Sequence, residues 1–380
     1  MISFELSEEQ KQMQETAHRF AETEMRAQDE TYRKCEQSAS VPGKMVAAYD
    51  ENGFGVIDIP EEAGGLGQGI VTRTIVEEEL AWGDVGIAVA LDRPGLGAAA
   101  ICALGSAEQI KKHLGDLGAK PKTIALCLSE DDVASETYGA IATKAEGGKL
   151  TGKKRWVVGG LEADLYVVFA RTSEETGWAG VRAFVVEKGA AGLTLGKADA
   201  RLGVLTAPSC TAELSGTPGE ELTGAEDMGA AIVVFLNRAR VLTAARLVGV
   251  ARASAEYARD YAMQRPAFGK MIGQFQSIAF MIADAHTEVN AARWLVWQAA
   301  DALDKGKDAT KQACMALTHA ADVATRICTD GVQILGGAGF IQDYPVEKWL
   351  RDARELSLTM GPESLNNALA ADAILGPITD

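Results

Sequence analysis

The chain has 380 residues, which at roughly 150 per domain suggests two or three domains and ample core. Its 53 acidic residues against 37 basic ones leave a net charge of −16, a surface that repels a phosphodiester backbone, so nucleic acid is not an expected partner. Hydrophobic residues at 47% and charged ones at 24% are ordinary for a globular protein, and the 40 glycines follow no collagen-like or low-complexity period.

No apolar run reaches the roughly 18 to 20 residues that a membrane span needs. The start, MISFELSEEQ, is acidic from its fifth residue and looks like neither a signal nor a transit peptide. The six cysteines (Cys35, Cys102, Cys127, Cys210, Cys314, Cys328) make no CxxC pair, so reduced, mostly buried thiols and a cytoplasmic location are expected. His18, His113, His286 and His319 form no ligand pair, so no metal site is expected.

In chain order, residues 1–122 read as helical. Ser7 with Gln10 has the form of a capping box, and Met13, Ala17, Phe20 and Ala21 follow at helical spacing. Apolar stripes recur at 45–49, 75–82 and 87–104, and the glycines of the 60–67 loop allow tight turns between segments. Residues 123–224 switch period. The β-branched and aromatic runs 123–128, 155–158, 165–170 and 183–186, punctuated by Gly148, Gly159, Gly160 and Gly177, predict a small sheet or barrel rather than β-α-β units. Residues 225–380 are helical again and Ala-rich, notably over 242–263 and 279–303, as in a close-packed bundle. The fold class expected is mainly α with a central β domain, in the order helices, sheet, helices.

Walker, GxSxG, HExxH and strand-linked GxGxxG motifs are all missing. The glycine-rich stretch Gly336-Gly-Ala-Gly339 follows an amphipathic helix, so it is either a cofactor contact or a plain helix terminator.

Four stretches carry a resemblance: IPEEAGGLG (59–67), EEELAWGDVGIA (77–88), QRPAFGKMIGQFQ (264–276) and QILGGAGFIQDYPVEKWLRDA (333–353). Over its whole length the chain resembles the acyl-CoA dehydrogenases. The resemblance implies an N-terminal helical domain, a middle β domain and a C-terminal four-helix domain. It also implies FAD, a coenzyme A thioester substrate, a homotetramer, and electron transfer flavoprotein as the usual acceptor.

The family's contacts carry over one position at a time. Trp156 matches the tryptophan laid over the flavin, where an aromatic of that size buries a large apolar area; a core tryptophan is the alternative. Arg265 and Phe268 match the pair that reaches the FAD of a neighbouring subunit, a guanidinium being suited to a pyrophosphate by its bidentate fork; a solvated helix-end arginine is the alternative. Gln333, Gly336 and Gly337 match the segment closing on the adenosine half, and Gln276 belongs with the same set. Leu128 and Ser129 stand at the flavin ring, and Ser135 matches a small hydroxyl near the pyrophosphate, its register blurred by a one-residue insertion within 130–134. Arg240 matches a buried arginine beside the catalytic carboxylate, and Asn237 and Gly361 fall in the implied substrate site.

The departures matter more. Aligned on Gly361, Met360 sits where the family's catalytic Glu belongs, and a thioether is no proton acceptor. Some members place the Glu just before the conserved arginine, but that position is Ala239 here. Val158 replaces a frequent Thr near the flavin, and Pro362 replaces a Thr that usually helps hold the adenine. The backbone N–H of Met360 can still polarise a thioester carbonyl, because a main-chain donor does not depend on its side chain. Glu363 is one substitute base. Asp92 is the stronger one, since its aligned position is the deep end of the acyl pocket, where desolvation is expected to raise its pKa. A structural aspartate paired with Arg93, or capping a helix at Pro94, is the alternative.

A deep base suits an α,β-unsaturated thioester, whose acidity is relayed to the γ carbon. The implied reaction resembles that of the family members forming cyclic dienes from cyclohex-1-ene-1-carboxyl-CoA in anaerobic degradation of alicyclic and aromatic acids. Three other readings stay open: a catalytically silent subunit of a heteromeric acyl-CoA dehydrogenase, an ordinary member with a relocated base, and a flavoprotein of this fold without a CoA role.

Overall fold

The computed structural model describes residues 5–26, 31–132 and 134–376, Glu136 by its backbone alone. The order helices, sheet, helices is as expected. Helix α1 (Glu8–Phe20) opens with the capping box read from the sequence, Ser7 and Gln10 exchanging both bonds. Helices α2 (Thr31–Ser38) and α3 (Gly43–Glu51) lead into α4 (Ile70–Leu91), which is interrupted at Asp84 by extended backbone. Helices α5 (Gly95–Leu104) and α6 (Ala107–Leu114) complete this zone. The expected stripe 87–104 is thus two helices, with Asp92 and Arg93 at the break, because a proline at 94 removes a helical N–H.

The sheet comprises β1 (Ile124–Cys127), β2 (Lys144–Glu146), β3 (Lys149–Val158), β4 (Leu165–Arg171), β5 (Val181–Glu187), β6 (Leu193–Leu195), β7 (Ser209–Pro218) and β8 (Glu220–Glu221). Its order is β6-β7-β3-β2-β4-β5-β8, with β1 parallel to β4. Strand β4 is buried on both faces, which is why it reads as a continuous apolar run. Val167 and Phe169 join the main helical core, whereas Tyr166, Val168 and Ala170 form a second core with Cys127, Val157 and Cys210. Strand β7, SCTAELSGTP, is invisible to an apolar-run reading because its exposed face is polar; pairing with β3 defines it.

Between β1 and β2 lies the short α7 (Ser135–Tyr138), which packs on α12 (Glu363–Leu375); the C-terminal zone contains α8 (Met228–Gln264), a hairpin of β9 (Pro266–Ala267) and β10 (Lys270–Met271), then α9 (Gln276–Asp304), α10 (Thr310–Leu335), α11 (Val346–Leu356) and α12. Helix α8 is central, packing on α4, α9 and α10, and alanines at the contacts permit the close approach. Phe169 stacks on Phe235 at 5.8 Å between ring centres, joining sheet to bundle.

The glutamates of the EEELAWGD stretch are structural. Glu77 pairs with Arg246 at 2.6 Å, Glu78 with Arg252 at 2.8 Å and Arg293 at 2.7 Å, and Glu79 with Arg252, stitching α4 to α8 and α9. Lys348 is fully buried between Asp84 at 2.7 Å and Asp352 at 2.6 Å, and Asp352 also accepts the Val204 N–H, so one buried cation ties all three zones. Five cysteines are buried and Cys102 half-buried, all as free thiols. Among the described residues no single helix is long and apolar enough to cross a membrane.

Candidate active site

The α11–α12 loop carries the first half of the site. Met360 and Gly361 both adopt positive φ, 65° and 94°, and both are buried. A Cβ at Gly361 would lie 2.5 Å from Thr137 Oγ1 on α7, so glycine is required by both dihedral and space. A non-glycine residue at positive φ is costly, and such strain collects at functional sites when the surroundings enforce it. The enforcing residue is Asn366, on the first turn of α12. Its Nδ2 donates to the carbonyls of Met360 (3.2 Å), Gly361 (3.0 Å) and Pro362 (3.3 Å). Its Oδ1 accepts from Arg240 Nε at 2.9 Å. Arg240 Nη1 donates to Asn237 Oδ1 at 3.0 Å, and Asn237 Nδ2 to Thr310 Oγ1 at 2.9 Å. The structure therefore brings the expected Met360, Gly361, Arg240 and Asn237 together through a residue that sequence reading missed. Among the described residues no acceptor takes the Met360 or Gly361 N–H, which leaves two buried donors for a ligand. Thr137, equally unforeseen, is 2% exposed, and its hydroxyl has no hydrogen-bond partner among the described residues.

Asp92 belongs to a different cluster. It caps the end of α4, and its side chain, 4% exposed, meets Arg73 Nη2 at 2.9 Å and Arg246 Nη2 at 2.5 Å. The same two arginines hold Glu77, and Tyr49 lies alongside, its phenol pushed up by burial and by the Asp92 charge. Burial alone would raise the Asp92 carboxyl, but Arg73 and Arg246 outweigh it and hold it below the ordinary aspartate range. The expectation of a raised pKa is thereby corrected. The expected pairing with Arg93 is also replaced, because Arg93 turns to Asp50. Arg246 and Arg240 are six residues apart on α8, about 9 Å along the axis and on different faces. Glu363 is exposed, at the start of α12.

The sheet carries the second half. A bulge in β3 between Lys154 and Val157 puts Trp156 at φ 51° and leaves its indole 48% exposed, with Val158 38% exposed nearby. The bulge turns out a ring that regular alternation would have buried, so Trp156 is not a core tryptophan. The adjoining β1 end is held from behind. Buried Lys154 donates to Leu128 O at 3.2 Å and pairs with Glu130 at 2.7 Å, and Arg155 N–H donates to Ser129 O at 2.9 Å. The Leu128 side chain is itself buried, so only its backbone can serve a ligand. Ser135 is buried, with its hydroxyl accepting from Glu130 N–H at 3.2 Å. That bond closes the loop where an insertion was expected, and Val133 within it lies outside the described residues.

The remaining expected cofactor residues lie on exposed ends of the helical bundle. Phe268 and Gly269 form the hairpin tip at φ 50° and 81°, the left-handed pair of a type I′ turn, with Phe268 96% exposed. Arg265 ends α8, Gln276 begins α9 and Gln333 lies in the last turn of α10, all exposed. Gly336, at φ 60°, terminates α10, and the space around it and Gly337 is open. An exposed indole face beside a braced hydroxyl-bearing loop fits a flat flavin ring, and a guanidinium at a helix end fits a pyrophosphate.

Three sequence-family descriptions match the chain: acyl-CoA dehydrogenase N-terminal domain over residues 7–120, middle domain over 125–217 and C-terminal domain over 228–375. The chain belongs to the acyl-CoA dehydrogenase family. It is an oxidoreductase acting on CH–CH bonds. This acyl-CoA dehydrogenase is 34% identical to an acyl-CoA dehydrogenase of Bacillus subtilis (strain 168), over 98% of this chain and 99% of the relative. It is 32% identical to the caffeyl-CoA reductase-Etf complex subunit CarC of Acetobacterium woodii, over 97% and 99%. Its structure resembles butyryl-CoA dehydrogenase from Megasphaera elsdenii at a TM-score of 0.89 and 30% identity, covering 98% and 100% of the two chains.

Proposed function

We propose that this family member binds FAD and oxidises cyclohex-1-ene-1-carboxyl-CoA to a cyclohexadiene-carboxyl-CoA by 1,4-elimination. Bound FAD supplies the hydride acceptor. Trp156 would cover the ring, Ser129 and the Leu128 backbone would meet its edge, and Arg265, Phe268, Gln276, Gln333, Gly336 and Gly337 would serve the FAD of a neighbouring copy in a homotetramer. Arg265 is the chain's cation for the pyrophosphate, and the buried Ser135 hydroxyl acts by bracing its loop. Met360 N–H donates to the thioester oxygen and acidifies the conjugated system. Asp92 takes the proton from the ring carbon distant from the carbonyl; one hydride and one proton leave, and the second double bond forms. Asn237 and Gly361 line the acyl site.

The observation carrying this reading is the position and charge of Asp92. With Met360 and Ala239 in both usual seats, Asp92 is a buried carboxylate at the break between α4 and α5, held ionised by Arg73 and Arg246, a pairing that also lowers its proton affinity. Its double arginine pairing favours a second reading, in which the cluster is structural and the chain is a silent subunit of a heteromeric enzyme. The acceptor proposed is electron transfer flavoprotein, supported by the relative named as part of an Etf complex. A cytoplasmic site rests on the sequence reading alone.

The test is a flavin-reduction screen of the purified chain with linear, branched and cyclic acyl-CoAs, repeated with Asp92→Asn and a dye acceptor. Reduction by the cyclic enoyl thioester, lost in Asp92→Asn at unchanged FAD content, supports the base. Equal turnover in the variant removes Asp92 from the chemistry. Failure of every thioester to reduce the parent supports the silent subunit.

A further inference from the structure

We infer that Asn366 is a positioning residue that transmits the Arg240 charge to the Met360–Gly361 loop and holds its N–H groups in register for the thioester carbonyl. The inference rests on the carbonyl-polarising role of that loop proposed above. Asn366 is 1% exposed and spends its amide entirely on this junction. Its orientation follows from its neighbours: Arg240 Nε can only donate, so Oδ1 faces it, and carbonyls can only accept, so Nδ2 faces them. Two N–H bonds shared among three successive carbonyls fix the planes of the peptides following Met360. The Met360 carbonyl and the Gly361 N–H belong to one peptide, so a donor on that oxygen aims and strengthens the Gly361 N–H, while the Met360 N–H, in the preceding peptide, is held through the backbone orientation of Met360 itself. A guanidinium on Oδ1 withdraws charge from the same amide and reinforces Nδ2 as a donor. The chain Thr310–Asn237–Arg240–Asn366 thus anchors a strained, positive-φ Met360 to two bundle helices. In this chain the loop keeps its geometry with no carboxylate at 360.

The readout is carbonyl polarisation itself. Benzoyl-CoA labelled with 13C at the thioester carbonyl is a ring thioester that cannot be dehydrogenated at its aromatic carbons. Its carbonyl stretch, followed by infrared difference spectroscopy on the FAD-loaded protein, falls in frequency when hydrogen bonds polarise it. The parent is expected to show the fall. Asn366→Asp keeps an acceptor for Arg240 but turns a carboxylate oxygen toward the three carbonyls. Asn366→Ala removes both functions. Both variants are expected to lose most of the shift, and reduction by an active thioester is expected to slow by about 10²-fold, the scale for a misplaced catalytic donor. FAD content and thermal midpoint, read alongside, keep Asn366→Asp interpretable should Asn366→Ala fold poorly. A full shift in a folded, FAD-loaded Asn366→Asp overturns the assignment. Absence of a shift in the parent overturns the carbonyl-polarising reading instead, and the assignment with it.

Discussion

Returning a carboxylate to the loop, by Met360→Glu, is the most direct probe of how the site is divided. Met360 is 3% exposed, and Glu is close to it in length, so the change is one of charge more than of volume. An unpaired carboxylate there would cost several kcal/mol, but Arg240 is one amide away through Asn366 and offsets much of this. A net destabilisation of about 1–3 kcal/mol follows, visible as a fall of several degrees in thermal midpoint. Against this, a general base at the α-carbon contributes roughly 10²–10⁴-fold in rate. That corresponds to about 3–5 kcal/mol off the barrier. The assay is anaerobic flavin reduction by saturated linear acyl-CoAs, expected to be slow in the parent. The expected outcome is a rise of at least about 10²-fold in the variant. No rise, in protein that keeps FAD and refolds, would refute the idea that Met360 occupies the base's seat beside an intact carbonyl-binding loop.

Three further outcomes follow from the same geometry. Arg246→Met leaves Glu77 and Asp92 with Arg73 alone, and chemical denaturation should show a loss of about 3–5 kcal/mol, as for a broken buried pair. Gly361→Ala forces a Cβ against Thr137 Oγ1 at φ 94° and should cost about 1–3 kcal/mol; because part of that is steric, adding Thr137→Ala should return a fraction of it, and no recovery would place the whole cost in the backbone. Asp92 and Glu130 have carboxyls that burial raises but that Arg73 and Arg246, and Lys154, bring below their ordinary values. Their stabilisation is therefore complete above the unfolded values near about 4 and drains as pH falls through the lower folded values. Urea midpoints between pH 6 and 3 should fall most steeply below about 4, and a midpoint flat with pH there would contradict the ionised clusters.

The central assembly was legible from sequence because each part leaves a local signature. Ser7 and Gln10 announce the first cap, β4 reads apolar along its length because both its faces are covered, and the alanines of α8 and α9 announce close packing. The family motifs likewise located the Met360 loop and Trp156. What failed did so for reasons of partnership. Strand β7 has no apolar run of its own and exists through β3. Asn366 is one amide in an exposed-looking first turn, and only folding places Arg240 on one side of it and three carbonyls on the other.

Asp92 shows the same division most plainly. The amino-acid order alone determined that a carboxylate follows an apolar helix just before a proline, that both customary base positions lack one, and that the chain carries the three zones of its family. It could not determine the charge state, since a pKa depends on groups within a few ångströms in space, and the two that decide it are 19 residues before it in the chain (Arg73) and 154 after it (Arg246). Burial and cation pairing act on a carboxylate in opposite directions, and only the packing of α4 against α8 settles which prevails.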